Sequence, residues 1–220
     1  MKPRIYVFEE KGYQILPTVR ESFQHAANRW GSELVFLKRL TVKGNFWMQK
    51  QQHVLLTKQA RRVLWLDGDM LIRVDCPNPF DFVPVHKIGY VSVAQDHRKP
   101  VSHYPQGGFQ IYHTQYHLEI LRRIDVAFKS CGYQGMDQDI LGCIVNKDQI
   151  QWLPSAFNFL VFAPNCVGWL SKWHEDRWNT SPVLPNWICH LRNGMQPGQG
   201  GWKNKALHIS RFDWKLIPKG

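Results

Sequence analysis

The sequence predicts an α/β protein with one mixed, mostly parallel central sheet that is flanked by helices. Short, continuous apolar runs alternate with longer segments of helical spacing in the amino-terminal part of the chain. This alternation is typical of parallel strands that are covered by helices on both faces. The chain has 220 residues, with 44% hydrophobic and 20% charged residues, which suits one globular domain with a sizeable core.

The first three elements are predicted as strand, helix and strand. Arg4–Phe8 and Leu34–Leu37 are continuous apolar runs, and Pro17–Trp30 has apolar residues at helical spacing. Pro17 suits a first helical turn, and Gly31 suits a helix end. The chain carries neither G-x-G-x-x-G nor G-x-x-x-x-G-K-[ST]. A dinucleotide Rossmann site and a P-loop are therefore not expected.

The most informative segment is a short strand that leads into two aspartates. A helix is predicted over Asn45–Thr57, and the apolar run Val63–Leu66 then ends at Asp67, Gly68 and Asp69. Open α/β sheets bind ligands at the carboxyl ends of their strands, and glycine allows a tight turn and close approach of a ligand. Two carboxylates there suit Mg²⁺ or Mn²⁺. The alternative is a solvated turn.

Further elements follow in the same alternating order. Ile88–Ala94 is predicted as a strand, and Pro105–Gly108 as a loop before the strand Phe109–Tyr112. Thr114 is predicted to cap a helix over Gln115–Lys129. Paired glycines before the strand would let a ligand approach the backbone.

Two later segments carry candidate polar side chains. Asp137, Gln138 and Asp139 are predicted to open a short helix, whose dipole favours acidic residues in the first turn. The last predicted strand, Ile188–Leu191, contains His190. From these residues alone, the acidic group could be a plain helix cap, and the histidine could be an ordinary core residue.

The charge balance indicates anionic partners. The net charge is +11 and the pI about 9.6, which favours a diphosphate ligand, nucleic acid, an acidic glycan or an anionic membrane face. The five cysteines include no C-x-x-C pair, so we expect mostly free thiols in a reducing compartment. No signal peptide and no run of roughly 18 apolar residues is recognisable. The expected localisation is cytoplasmic, and any membrane contact would be peripheral.

The order of these motifs resembles that of a known enzyme family. Five motifs follow one another along the chain: a strand ending in DGD, a glycine-containing strand entrance, DQDIL from Asp137, LPSAFN from Leu153 and a strand containing His190. This order resembles glycosyltransferases of the GT-A fold, and most of all family 8, the group that includes glycogenin and bacterial lipopolysaccharide galactosyltransferases. The resemblance covers the chain from Arg4 to about Trp202.

The resemblance implies a single GT-A domain over residues 1–220. Its nucleotide-binding part would span about 1–75 and its acceptor-side part about 76–202, followed by a basic tail at 203–220. Asp67 and Asp69 match the family's metal-binding aspartates, and His190 matches the histidine that completes the site for Mn²⁺ or Mg²⁺.

The resemblance also implies residues that bind the donor and residues that act on it. Asp137 and Gln138 match the pair that faces the sugar and the reacting centre. If the reaction inverts, Asp137 or Asp139 is the candidate general base. The family's diphosphate-gripping Lys-Pro-Trp is replaced here, and Lys203 or Arg192 stands in its region. The other implied donor contacts are Phe8, Glu9, Tyr13, Lys50, Gly68, Gln106 and Gly107.

The function expected from these matches is a metal-dependent transfer of a hexose-type sugar. The donor would be a nucleoside-diphosphate sugar, with UDP favoured and GDP as the alternative, and the acceptor would be a hydroxyl of a glycan, lipid or protein. Whether the reaction inverts or retains the anomeric configuration stays open. The alternatives are a basic nucleic-acid-binding protein, a sugar-1-phosphate nucleotidyltransferase, and a transferase-like domain that binds sugar without activity. Under the leading interpretation no nucleic-acid partner is expected.

Overall fold

The structure is a computed structural model that describes residues 1–9, 15–37, 61–92, 105–130, 137–162, 188–192 and 214–215. For residues 92, 106, 137–139, 155, 158–162 and 188–192 it describes the backbone alone. The predicted helix over Asn45–Thr57 lies outside the described residues.

The described elements are nine strands and three α-helices. The strands are β1 (Arg4–Phe8), β2 (Glu33–Leu37), β3 (Arg62–Leu66), β4 (Met70–Ile72), β5 (Ile88–Ser92), β6 (Pro105–His113), β7 (Ile150–Leu153), β8 (Phe159–Phe162) and β9 (Ile188–Arg192). The helices are α1 (Pro17–Arg29), α2 (Leu118–Ser130) and α3 (Asp137–Ile144).

The strands form a large mixed sheet and a small one. The large sheet has the order β2-β1-β3-β6-β5-β7, and β6 runs antiparallel to both of its neighbours while the other pairs are parallel. Five of its six strands therefore share one direction, which confirms the predicted mixed, mostly parallel sheet. The small sheet has the order β4-β9-β8. Neither this second sheet nor β8 was predicted.

Helix α1 covers one face of the large sheet. Its first residue is Pro17, and Gly31, two residues after the last helical residue Arg29, has a φ of 61°, a left-handed conformation that glycine adopts without a steric penalty. Both predictions for the ends of this helix are confirmed to within one residue. The buried side of α1 packs against the residues of the strands that point to that face, such as Val7, Leu66 and Phe109.

Helices α2 and α3 cover the opposite face. Alternate residues of a strand point to opposite sides of a sheet, so Tyr6 and Trp65 face these two helices while Ile5 and Leu64 face α1. Phe128 of α2 lies in the same buried cluster as the aromatic residues. The strands of the large sheet are thus buried on both faces, as their continuous apolar sequences predict.

Two sequence predictions in this region are wrong. Pro105–Gly108 was predicted as a loop before the strand, but it is the first part of β6. Thr114 was predicted to cap a helix from residue 115, but α2 begins only at Leu118. The Thr114 hydroxyl accepts the backbone N–H of Arg61 at 2.9 Å, and its own N–H donates to the Arg61 carbonyl at 2.9 Å. Thr114 therefore closes the end of the β3–β6 ladder instead.

Two of the five cysteines have described side chains, and both are free thiols, as predicted. Cys76 is buried and Cys143 is exposed. Burial raises the pKa of the Cys76 thiol well above its ordinary value. Among the described helices, none is long and apolar enough to cross a lipid bilayer.

Trp214 ties the carboxy-terminal part of the chain to the main body. It is 5% exposed and belongs to the same core as α1. Its carbonyl accepts the N–H of Val74 at 2.7 Å, and its ring lies 5.5 Å from that of His25. Lys215, in contrast, is exposed and forms an ion pair with exposed Glu21 at 3.0 Å.

His117 is a buried histidine in the turn before α2. It is 2% exposed, and its Nδ1 accepts the backbone N–H of His113 at 2.8 Å. Burial lowers the pKa of His117 from 6.5 to about 4, and the neighbouring imidazoles of His113 and His86 act in the same direction. A hydrogen bond with the backbone of His86 opposes the shift without overcoming it.

We expect Trp214→Ala to lower the free energy of unfolding by about 3–5 kcal/mol, because it empties a buried site of indole size. Urea denaturation followed by circular dichroism measures this loss. The neighbouring variant Lys215→Ala removes only an exposed ion pair and should change the same quantity by less than about 0.5 kcal/mol. Equal, small effects of both changes would show that Trp214 does not anchor this segment.

We expect acid to destabilise the protein through His117. The unfolded histidine binds a proton below pH 6.5 and the folded one only near pH 4, so stability falls as the pH falls through this window. Between pH 7 and pH 5 the loss from this group should be about 2 kcal/mol.

The variant His117→Asn isolates this loss, because its side-chain oxygen can still accept the His113 N–H but does not titrate. Urea denaturation at both pH values should show a smaller acid-induced loss for the variant than for the wild type. Identical losses would contradict the assignment.

Candidate functional site

The two aspartates form the turn that connects β3 to β4. The N–H of Met70 donates to the Asp67 carbonyl at 3.3 Å and closes the turn. Asp67 is half-buried, Gly68 is buried and Asp69 is only 5% exposed. The predicted position of the carboxylates at the carboxyl end of a buried strand is therefore correct.

Strand β6 holds the turn from the side. Its antiparallel pairing with β3 places Phe109 opposite Leu66, and the N–H of Asp67 donates to the Gly108 carbonyl at 3.0 Å. The glycines of Pro105–Gly108 thus lie beside the first aspartate. Sequence reasoning placed them near a ligand, although it assigned them to a loop.

Strand β9 brings the backbone of His190 beside the residue that follows the turn. β4 and β9 are antiparallel, and their register pairs Met70 with His190. His190 is therefore the cross-strand partner of the residue that follows Asp69, although the two segments are far apart in sequence. Among the side chains that the structure describes, no group of three or more His, Cys, Asp or Glu forms a metal site; the His190 side chain is not among them.

The end of β1 lies next to the same turn. Val7 pairs with Leu66, so Phe8 and Asp67 leave neighbouring parallel strands at the same level. Phe8 is 4% exposed. Beyond it, the N–H of Glu9 donates to the Leu37 carbonyl at 2.8 Å, which continues the pairing with β2.

Glu9 is fixed by a cation from α1. Its carboxylate forms an ion pair with Arg20, whose guanidinium lies 4.2 Å from the centre of the Phe36 ring. Stacking on an aromatic ring and pairing with a carboxylate together orient an arginine. Sequence reasoning did not identify Arg20 or Phe36, because nothing local in the sequence links them to Glu9.

The remaining predicted residues are described less fully. Asp137, Gln138 and Asp139 form the first turn of α3, as predicted, and the helix packs into the core through residues such as Ile140 and Leu141. Gln106 and His190 lie on β6 and β9, and for these five residues the backbone alone is described. Tyr13, Lys50 and Lys203 lie outside the described residues.

The described geometry brings together four separate chain segments at one edge of the large sheet. The Asp67–Asp69 turn lies between Gly108 of β6 and the β4–β9 pair, with Phe8 at the end of the adjacent strand. Carboxylates, glycine backbone and a histidine position thus converge where α/β sheets bind ligands. Gln110, a fully buried glutamine of β6 close to this point, was not recognised in the sequence. A polar residue within an otherwise apolar strand was the available signal.

No protein-family model and no curated protein matches this sequence. Solved structures do match. The glycosyltransferase GlyE from Streptococcus pneumoniae TIGR4 is 15% identical with a TM-score of 0.64, and the match covers 97% of this chain and 61% of the GlyE chain. This chain therefore spans only about three fifths of GlyE.

Two other matches cover nearly all of both chains. The galactosyltransferase LgtC, in complex with donor and acceptor sugar analogs, is 15% identical with a TM-score of 0.58, over 98% of each chain. A glycosyltransferase involved in the glycosylation of the major capsid of PBCV-1 is 10% identical with a TM-score of 0.60, over 95% of this chain and all of the other. Together with the mixed sheet and its covering helices, these matches show that the chain has the GT-A fold of glycosyltransferases.

Proposed function

We propose that this protein is a glycosyltransferase that uses Mn²⁺ or Mg²⁺ to transfer a hexose-type sugar from a nucleoside-diphosphate sugar to a hydroxyl group. The observation that carries this proposal is the Asp67–Asp69 turn at the carboxyl end of β3, with His190 across the β4–β9 pair. The fold and its resemblance to solved glycosyltransferases support it.

The chemistry of these residues suits a divalent cation. Carboxylate oxygens are preferred ligands of Mg²⁺ and Mn²⁺, and imidazole is a common ligand of transition metals. A cation held by Asp67, Asp69 and His190 would balance the negative charge of two carboxylates, one of which is almost fully buried. When bound, such an ion neutralises a diphosphate leaving group.

The donor is proposed to lie against β1 and β6. Phe8 and Glu9 would border the nucleoside, together with Tyr13, while Gln106 and Gly107 would contact the sugar. The net charge of +11 favours approach of an anionic donor. UDP is the favoured nucleotide and GDP the alternative, and Lys50 and Lys203 are candidates for contacts with the donor.

The first turn of α3 is proposed to face the reacting centre. In an inverting reaction, Asp137 or Asp139 would take the proton of the acceptor hydroxyl. In a retaining reaction, Gln138 and Asp137 would orient the donor and stabilise charge. The acceptor is proposed to be a glycan, a lipid or a protein, and the basic charge of a cytoplasmic protein would suit an acidic or membrane-surface acceptor.

We expect Asp69→Asn to weaken the binding of UDP in the presence of Mn²⁺ by about tenfold or more, because it removes a charged metal ligand while keeping the size of the side chain. Isothermal titration calorimetry of UDP and GDP, with Mn²⁺ and with EDTA, measures this effect. The wild type should bind one of the two nucleotides, and only with the metal.

Asp148→Asn provides the matched control, since it makes the same change of charge at an exposed position after α3. It should bind the nucleotide as the wild type does. If neither UDP nor GDP binds to the wild type with Mn²⁺ present, the proposed function is wrong.

A further inference from the structure

A continuous chain of buried hydrogen bonds crosses two strands of the large sheet next to the Asp67–Asp69 turn. The hydroxyls of Tyr90 and Tyr112 lie 2.7 Å apart, and the Tyr112 hydroxyl donates to Oε1 of Gln110 at 2.6 Å. Nε2 of Gln110 then donates to the Gly107 carbonyl at 2.8 Å. All three side chains are at most 1% exposed.

The direction of each hydrogen bond in this chain is determined. A carbonyl can only accept, so the amide group of Gln110 must turn its NH₂ towards Gly107 and its oxygen towards Tyr112. Tyr112 has one hydroxyl proton and donates it to that oxygen. The hydroxyl of Tyr90 must therefore donate to Tyr112. The chain has one arrangement, and it ends on the backbone of β6.

This chain of hydrogen bonds ends at an irregularity in the pairing of β5 with β6. β5 and β6 pair regularly at Tyr90 and Gln110, but the next pair is Ser92 with Pro105. β6 therefore carries three more residues than β5 over this stretch, namely 106–108. Extra residues of this kind form a bulge, which bends a strand and redirects its backbone, often beside an active site.

The side chain of Gln110 takes part in holding this bulge. The register shift interrupts the regular β5–β6 ladder, and the Gln110 amide donates to a carbonyl within the extra residues. Gln110 itself has little room to move, since it lies between its cross-strand partners Trp65 and Tyr90. Burying an amide side chain costs free energy unless it is hydrogen-bonded. If Gln110 only filled space, an apolar residue would fill it at a lower free-energy cost.

The bulge in turn contacts the candidate metal turn. The carbonyl of Gly108, the residue after the one that Gln110 holds, accepts the N–H of Asp67. The hydrogen bonds therefore run from Tyr90 through Gln110 to the bulge, and from the bulge to the backbone of the first aspartate.

We propose that Gln110 is a positioning residue, oriented by Tyr112, that holds the 106–108 bulge in the conformation needed to bind a nucleoside diphosphate at the Asp67–Asp69 turn. This inference rests on the proposed function of that turn. Gln110 does not touch the ligand; it acts through the backbone of Gly107 and Gly108.

The inference is tested with Gln110→Leu, Tyr112→Phe and Tyr90→Phe, measured by calorimetry with saturating Mn²⁺ and whichever of UDP and GDP the wild type binds. Gln110→Leu removes the contact with the bulge and should weaken binding about tenfold or more, as loss of residues that orient metal ligands does. Tyr112→Phe should have a smaller effect, since Gln110 can still donate to Gly107. Tyr90→Phe should have the smallest, since Tyr112 can still orient Gln110.

A general loss of stability must be separated from this effect. All titrations are made well below the melting temperature of every variant, where nearly all molecules are folded and stability alone does not alter affinity. Ala27→Gly, in the buried face of α1 on the opposite side of the sheet, destabilises the protein away from this chain of hydrogen bonds and should bind the nucleotide as the wild type does. Adding Tyr112→Phe to Gln110→Leu should weaken binding no further, because Tyr112 acts through Gln110.

Three outcomes would overturn the inference. If the wild type binds UDP or GDP with Mn²⁺ and Gln110→Leu binds the same nucleotide within about twofold of the wild type, Gln110 does not position the site, while the proposed function stands. If Ala27→Gly weakens binding as much as Gln110→Leu, the effect is one of stability alone. If the wild type binds neither UDP nor GDP with Mn²⁺, the proposed function fails and this inference fails with it.

Discussion

The burial of β3 on both faces is the constraint on which the rest of the structure depends. Strand β3 lies between β1 and β6, and its residues Val63 to Leu66 are at most 2% exposed. Such a strand has no place for a charged side chain along its length, because a buried charge without compensation is costly. Its charged residues therefore lie at its ends, with Arg61 before it, Arg62 as its first residue and the aspartates after it.

The two ends of the sheet carry opposite charges for this reason. At the amino ends of β1 and β3, Arg4 and Arg61 both pair with Glu33, at 2.6 and 3.0 Å. Hydrogen bonds from these guanidinium groups lower the pKa of the Glu33 carboxyl. Glu33 offsets part of the positive charge at this end, whereas Asp67 and Asp69 lie at the other end.

The sequence was most informative where structure is set locally. Continuous apolar runs identified β1, β3 and β5, and Pro17 and Gly31 identified the ends of α1, since these depend on backbone preferences of neighbouring residues. The start of β6 was missed because paired glycines usually indicate a loop, whereas here they lie in a bulge whose Gly107 carbonyl accepts a hydrogen bond from the Gln110 side chain. The β4–β9 pairing, which places His190, depends on contacts between remote segments that no local pattern encodes.

The candidate site likewise has parts that the sequence predicted and parts that it could not predict. The order of its motifs predicted the aspartate turn and the start of α3, and the structure places both as expected. The residues that support the turn, Gln110 and Tyr112, could not be recognised as supports, because their role depends on the register of β6 against two neighbours. The sequence shows only that a glutamine interrupts an apolar strand.

In an ordinary strand, the number of residues determines which face of the sheet each later side chain points to. The bulge in β6 separates these two properties. In a regular ladder, adding or deleting one residue turns every later side chain to the opposite face of the sheet. Here the three extra residues are absorbed before Gln110, and the register from Phe109 to His113 against β3 is regular. Residues of the bulge can therefore be replaced while the core behind it keeps its packing, so the surface beside the Asp67–Asp69 turn can change without a change in the sheet that supports it.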